Sequence, residues 1–356
     1  MNQNKLHNDR TEIYGTFGPA CESREILEEM IKCGMTGMRL NLSHTTLEKS
    51  SEYIQNYRQA AESQGVKPQI LIDMQGPELR VGDMNELVLK QEDRVVLAAR
   101  EVESDTKTGW ENCKTDTILV PKEVIQALKP EMEVVLDDGK IRIRVGEVEQ
   151  ERAMGKVLIG GVLRPHKSIK IVDVDVKMPV LTEHDKKNLR KAKEYGVTAL
   201  MQPFVFSGKD LKQVKEILKQ EQAEEIQVFA KIENRKGVEN LEDILTEADM
   251  IVIARGDLGN DMPLWELPGV QKQIETVCKK NGKPYMVVTQ MLASMEQSPI
   301  PTRAEVSDIF HAVYHGAKAV MVTGETAVGK YPIEVIQYLT NTARNTIEYK
   351  NSIEIE

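Results

Sequence analysis

The sequence predicts an α/β protein, a closed (β/α)₈ barrel interrupted by a small inserted all-β domain. Three observations carry that reading. Eight short apolar runs recur along the chain, each followed by an amphipathic segment except where the insert intervenes, and eight βα units in one chain point to a closed barrel rather than an open doubly wound sheet. Between about residues 81 and 175 the helical rhythm gives way to alternating stretches such as LVLK, RVVLAA, EVVL and IRIRV, which read as short strands. Finally, several of the eight runs end in polar or charged groups, as barrel strands do where their C-terminal ends meet to form a site.

The first strand is expected at 13–17. Residues 23–33 follow as a helix with Ile26, Leu27, Met30 and Ile31 on one face and Gly34 as its C-cap. A strand at 35–42 leads into Arg39, Asn41, Ser43 and His44, then a polar helix reaches about residue 63, and the third strand at 69–74 ends in Asp73 before GPELR. The barrel is therefore read as 1–82 and 177–356, with the β lid domain at 83–176. After the insert, capping-box patterns at Thr182 to Asp185, Ser207 to Asp210 and Thr302 to Glu305 mark three helix starts. A strand near 198–201 precedes the stretch IQVFAKIENRKGVENLEDILTEADMIVIARGDLG, in which apolar runs at 226–230 and 250–254 flank a segment with Val238, Leu241, Leu245 and Ala248 on one face. That is one βαβ unit of roughly the usual 30 residues. The last strands are expected at 285–289 and 319–323.

Composition bounds the function. A chain of 356 residues with 40% hydrophobic residues can bury a large core, and its net charge of −9 argues against nucleic acid or an anionic membrane as the main partner. Cys21, Cys33, Cys113 and Cys278 are scattered without a CxxC pair, so neither a zinc cluster nor a disulfide framework is suggested and a reduced, cytoplasmic setting is expected. No 18-residue apolar run exists.

The chemistry is expected at the strand ends. Side chains two apart on an extended segment share a face, so Lys231 and Glu233 point into one pocket, and the next parallel strand brings Asp257 to the same rim. Two carboxylates beside an ammonium suit a hard divalent cation whose remaining positions go to water and phosphate oxygens. Two other motifs lead nowhere. GETAVGK at 324–330 resembles a P-loop but is followed by Tyr331 and Pro332 rather than by a small hydroxyl and a helix start. His311 and His315 lack the glutamate of a zinc protease and read as a solvated or packed helix face.

With those residues in view, the sequence resembles the pyruvate kinases. The matching runs are MRLNLSH at 38–44, DMQGPELR at 73–80, DDG at 137–139, AKIEN at 230–234, ARGDLG at 254–259, TQMLASM at 289–295, PTRAEVSD at 301–308 and GETAVGKYP at 324–332. The resemblance implies phosphoenolpyruvate and ADP or ATP as substrates, Mg²⁺ or Mn²⁺ with K⁺ as cofactors, and a cytoplasmic glycolytic enzyme. It implies that Lys231 stabilises the phosphoryl group and the enolate, and that Glu233 and Asp257 hold the divalent cation. Gly256, by its backbone, and Thr289, by its hydroxyl, would hold the substrate carboxylate, with Arg39 on the phosphate; Arg39, Lys231 and Thr289 are thus the catalytic candidates. Asn41, Ser43, Asp73 and the Met74 carbonyl correspond to the potassium site. Asn41 and Ser43, with His44, Arg80, Lys167 and an aspartate of the DDG run, correspond to the nucleotide side. Thr289 and Thr323 would order the water that protonates the enolate.

The sequence departs from the family at Met74 and Gln75, where Thr and Lys are usual, at Phe206 in place of an Arg, and in RPHKSIKIVD at 164–173, which lacks the family's glycines. Family members also continue into an effector-binding C-terminal domain beyond the point where this sequence ends. The expectation is therefore simple saturation, insensitive to sugar bisphosphates, in a monomer or a homodimer formed through the barrel. Two other readings stay open: a Mg²⁺-dependent lyase or decarboxylase acting on a 2-oxo acid, and a non-catalytic paralogue.

Glu78 in GPELR is the residue type that accompanies potassium dependence in the resembling family, the alternative being a Lys that replaces the ion. Turnover should therefore rise on adding K⁺ to a potassium-free and sodium-free assay. Full activity without either ion would remove Asn41, Ser43 and Asp73 from a cation site.

Overall fold

The computed structural model describes residues 10–353 apart from 44, 78, 101–114, 138, 173, 175 and 177. It has two compact units, one of residues 1–76 and 180–356 and one of residues 77–179.

The first unit is a barrel of eight parallel strands: β1 (Glu12–Thr16), β2 (Gly37–Asn41), β3 (Gln69–Asp73), β4 (Ala199–Gln202), β5 (Gln227–Ile232), β6 (Met250–Ala254), β7 (Tyr285–Val288) and β8 (Ala319–Met321). Each strand pairs with its sequence neighbours, and β8 closes onto β1 through Glu12 opposite Ala319 and Tyr14 opposite Met321. Period-two alternation sorts the side chains into two cores. Tyr14, Leu71, Met201, Phe229, Val252, Met286 and Met321 fill the barrel interior, while their sequence neighbours, such as Ile70, Ile72, Ala230, Ile232, Ile251 and Val287, pack outward among the helices.

Three interior columns run from apolar to polar residues toward the C-terminal ends of their strands: Tyr14 to Thr16, Leu71 to Asp73, and Phe229 to Lys231 and then Glu233. Register sets their heights. Asp73 lies opposite Met201, and Met201 opposite Phe229, so Lys231 stands one interior layer above Asp73.

The helices form where the caps place them. Thr182 and Thr302 accept from the backbone N–H of Asp185 and Glu305, and the Asp210 carboxylate accepts from the N–H of Ser207 at 2.9 Å. The segment after β5 differs from the single helix expected there. It breaks into Arg235–Glu239 and Leu241–Glu247 around Asn240, whose side-chain amide donates to Phe206 O at 2.8 Å; that bond to the neighbouring loop competes with continuing the helix. After β8, the short helix Gly324–Ala327 precedes Pro332–Ile353, so the long helix starts beyond the P-loop-like motif.

The second unit is a six-stranded sheet with a separate two-stranded ribbon, Leu87–Leu89 with Gly161–Leu163, and the helix Lys122–Ala127. Its interior is aliphatic, built from Val95, Leu97, Ile118, Val134, Ile141, Ile143 and Val157 among others.

The barrel seam depends on close backbone packing. Thr326 Oγ1 accepts from Thr16 N at 2.8 Å and donates to Thr16 O at 3.1 Å. A Cβ on Gly18 would lie 2.2 Å from Ala327 O, and a backbone oxygen cannot swing aside. Gly18→Ala should cost about 1–3 kcal/mol, the range for overpacking, seen as a lower urea midpoint at unchanged m-value.

Candidate active site

Four charged side chains form a chain across the C-terminal mouth of the barrel. From β2, Arg39 Nη2 and Nε lie 2.6 and 3.1 Å from Asp73 Oδ2. Lys231 Nζ from β5 lies 3.3 Å from Asp73 Oδ1 and 2.8 Å from Glu233 Oε1. Glu233 in turn accepts from the backbone N–H of Phe204 at 2.8 Å through Oε2. These groups are buried, with side-chain exposures of 12% for Arg39, 4% for Asp73, 14% for Lys231 and 0% for Glu233.

Burial shapes their protonation. It works to raise the Asp73 pKa, but Lys231 and Arg39 overcome it and hold the carboxyl below its ordinary value. Burial likewise works against the Lys231 charge, and Asp73 with Glu233 reverses the effect, so the ammonium stays protonated. Glu233 goes the other way. Burial pushes its carboxyl up to about 7, Lys231 opposes, and the charge of Asp257 adds to the rise. Asp73 Oδ1 and Glu233 Oε1 are buried and both face the Lys231 ammonium, at 3.3 and 2.8 Å.

The neighbouring strand ends add neutral groups. Gly256 and Asp257 lie in the first turn of the short helix Arg255–Asn260 that follows β6, and the Thr289 methyl group would lie 3.0 Å from a Cβ placed on Gly256. Thr289 has φ 77° and Gln290 φ 56°, conformations that cost side-chain-bearing residues about 1–3 kcal/mol each. Buried Glu325 accepts from Thr323 N at 2.6 Å and Thr323 Oγ1 at 3.2 Å, which fixes that hydroxyl at the β8 end. A separate cavity of about 620 Å³ among Lys272, Glu275, Tyr314, His315 and Lys350 lies between helices, away from these strand ends.

The sequence profile described as pyruvate kinase, barrel domain, matches residues 8–336. The chain belongs to the pyruvate kinase family. It is 38% identical over 351 residues to the pyruvate kinase of Thermococcus litoralis, covering 98% of this chain and 72% of that protein. The pyruvate kinase of Methylorubrum extorquens is 38% identical over 94% of this chain and 68% of its own length, and that of Geobacillus stearothermophilus 37% identical over 95% and 57%.

Against the family pattern, the structure brings together Arg39, Asp73, Lys231 and Glu233 by direct contact, and Thr289 with Gly256 by packing. Asp257 is exposed and acts on Glu233 through its charge. Asn41 Oδ1 accepts from Ser43 N at 3.1 Å, and Leu42 N donates to Asp73 O at 2.9 Å, which lines up this edge beside Met74. In the second unit, Lys167 Nζ lies 2.9 Å from Asp137 Oδ1 of the DDG run, and Arg80 Nη1 donates to His166 O at 2.7 Å. His44 and Glu78 lie outside the described residues. Of the two helix histidines, His311 is exposed, its Nδ1 2.7 Å from Ser307 O, and His315 is half-buried, its Nδ1 3.2 Å from Glu275.

One departure from the family has a local use: the Gln75 side chain accepts from the Thr182 hydroxyl at 3.2 Å. At Phe206 it is the backbone N–H that donates to the Asp210 carboxylate, at 2.8 Å, and nothing in the structure explains Phe in place of Arg. Sequence reasoning missed Arg255 and Asp308, which lie in matched motifs but whose contact, 2.7 Å between Nη1 and Oδ2, depends on the fold. It also gave Asp73 a cation-site role without foreseeing that its carboxylate joins Arg39 to Lys231.

Asp73→Ala would leave two buried cations without their shared anion. The variant should lose roughly 3–5 kcal/mol of stability, the scale for breaking a buried pair, measured by urea unfolding. A loss below about 1 kcal/mol, ordinary for an exposed pair, would show that Asp73 is not the link.

Proposed function

We infer that this chain transfers the phosphoryl group of phosphoenolpyruvate to ADP, yielding pyruvate and ATP, as a cytoplasmic glycolytic enzyme. The observation that carries the reading is the chain of alternating charge from Arg39 through Asp73 and Lys231 to Glu233, at the strand ends of a barrel belonging to this family.

In the reaction the bond between phosphorus and the enol oxygen breaks, a bond to a terminal oxygen of ADP forms, and C3 of the released enolate gains a proton. Such a transfer needs positioning and positive charge rather than a covalent intermediate. Arg39 and Lys231 supply two fixed cations, and because Asp73 holds both before substrate arrives, little reorganisation remains for the transition state. Lys231 would carry the charge that develops on the phosphoryl and enolate oxygens. The Gly256 backbone and the Thr289 hydroxyl would hold the substrate carboxylate, and a water between Thr289 and Thr323 would deliver the proton. On the family pattern, Asn41, Ser43, His44, Arg80 and Lys167 serve the nucleotide.

Among the described residues no group of three or more His, Cys, Asp or Glu side chains is placed to hold a metal. A pair of carboxylates is enough for Mg²⁺ or Mn²⁺, which keep other positions for water and phosphate. Buried Glu233 and the more exposed Asp257 fit that donor set, and Asn41, Ser43, Asp73 and the Met74 carbonyl offer the hard oxygens suited to K⁺. Bound there, the cations would neutralise charge on the phosphate oxygens.

A coupled assay for pyruvate, run with each nucleoside diphosphate and with and without Mg²⁺ and K⁺, tests the reading. Lys231→Met should lower kcat by at least about a hundredfold with little change in phosphoenolpyruvate affinity, since the ammonium acts on charge that appears in the transition state. A variant that keeps most of its kcat would take Lys231 out of the chemistry. Phosphoenolpyruvate consumed without ATP formed would favour a lyase.

A further inference from the structure

Thr289 and Gln290 lie consecutively at φ 77° and 56°, in the left-handed region that glycine alone enters freely. Successive residues there turn their carbonyl oxygens to one side. Both oxygens face Arg255, whose Nη2 is 2.7 Å from Thr289 O and 3.4 Å from Gln290 O, with Nε 3.2 Å from Thr289 O.

On its other edge the guanidinium meets Asp308, with Nη1 at 2.8 Å from Oδ1 and 2.7 Å from Oδ2. Its side chain is 11% exposed, so the pair is not an ordinary surface ion pair. Most of its hydrogen bonds go to backbone carbonyls of the strained turn. Arg255 also directly precedes Gly256, against which the Thr289 methyl group packs. One side chain therefore ties the start of the helix Arg255–Asn260 after β6 to the turn after β7, and these segments carry the two groups assigned to the carboxylate.

We propose that Arg255, oriented by Asp308, is a positioning residue that locks the left-handed backbone at 289–290 and so sets the Thr289 hydroxyl beside Gly256 for the substrate carboxylate. This role rests on the phosphotransfer reading, in which the Thr289 hydroxyl holds that carboxylate. A Lys cannot replace Arg255, because a single ammonium lacks the planar fork that reaches two carbonyls and a carboxylate together.

Steady-state kinetics of Arg255→Lys give the first test. The KM for phosphoenolpyruvate should rise roughly 10- to 100-fold, the scale of an ångström misplacement, while the KM for ADP stays the same. The second test adds Gln290→Gly, whose glycine adopts the left-handed conformation without a clamp. Relative to Gln290→Gly alone, the double variant should recover most of the lost phosphoenolpyruvate affinity. An unchanged KM in Arg255→Lys, an equal rise in both KM values, or no recovery on adding the glycine would each overturn the proposal.

If the unmutated chain shows no phosphotransfer, that result counts against the proposed reaction and leaves the clamp to be judged by amide hydrogen exchange. Residues 289–292 should then be protected in the unmutated chain and exchange faster in Arg255→Lys. Equal exchange in the two would overturn the clamp itself.

Discussion

The site depends on one buried carboxylate. Asp73 lies at the top of an apolar column of Leu, Met and Phe side chains, where an isolated charge would cost several kcal/mol. Arg39 on one side and Lys231 on the other make it tolerable, and the same contacts fix both cations. Glu233 extends the chain, so two cations and two anions alternate across the mouth and cancel. The neighbouring charge of Asp257 tips the balance: with Arg39 and Lys231 against Asp73, Glu233 and Asp257, the five groups sum to −1. Burial, with the Asp257 charge adding to it and Lys231 opposing, pushes the Glu233 carboxyl up to about 7. Matched buried charges with one surplus negative charge support the proposed reading in which this mouth takes a cation.

Strain is distributed in the same way. Side-chain-bearing residues at positive φ include Phe204, Thr289 and Gln290 at the strand ends. Each is held by a charged side chain from another part of the chain: Glu233 takes the Phe204 N–H, and Arg255 donates to the carbonyls of Thr289 and Gln290. Unusual backbone persists when its surroundings over-determine it. At these three positions charged side chains at the strand ends supply the restraint.

Much of the barrel and its mouth is legible in the sequence, for identifiable reasons. The interior columns of β3 and β5 alternate with period two, so Leu71 to Asp73 and Phe229 to Lys231 indicate which residues face the barrel axis. The capping residues Thr182 and Thr302 likewise mark helix starts, because their partners lie three residues away. What escapes a sequence reading depends on longer distances. That Asp73 joins Arg39 to Lys231 comes from the register of β2, β3, β4 and β5, which no local pattern encodes. The contact of Arg255 with Asp308 spans two strand–helix connections. The break at Asn240 is hidden because its cause, a hydrogen bond to Phe206 O, lies outside the helical stretch that carries the periodicity.

A further constraint explains how the barrel tolerates an insertion between its third and fourth strands. The chain leaves the barrel at Gly76 and returns at Val180, and one buried carboxylate holds both ends. Asp185 accepts from Gln75 N at 2.8 Å, Gly76 N at 3.1 Å and Thr182 N at 2.9 Å, while the Thr182 hydroxyl reaches Gln75 Oε1. Gly76, at φ 64°, turns where a Cβ would strike Pro203. Closing a long loop costs little more than closing a short one, because the entropic penalty grows only with the logarithm of length. The demanding part is to fix where the ends meet, and here helix-cap chemistry does so inside the barrel. The placement of Asp73, two residues before the latch begins, is thereby insulated from sequence change in the insert.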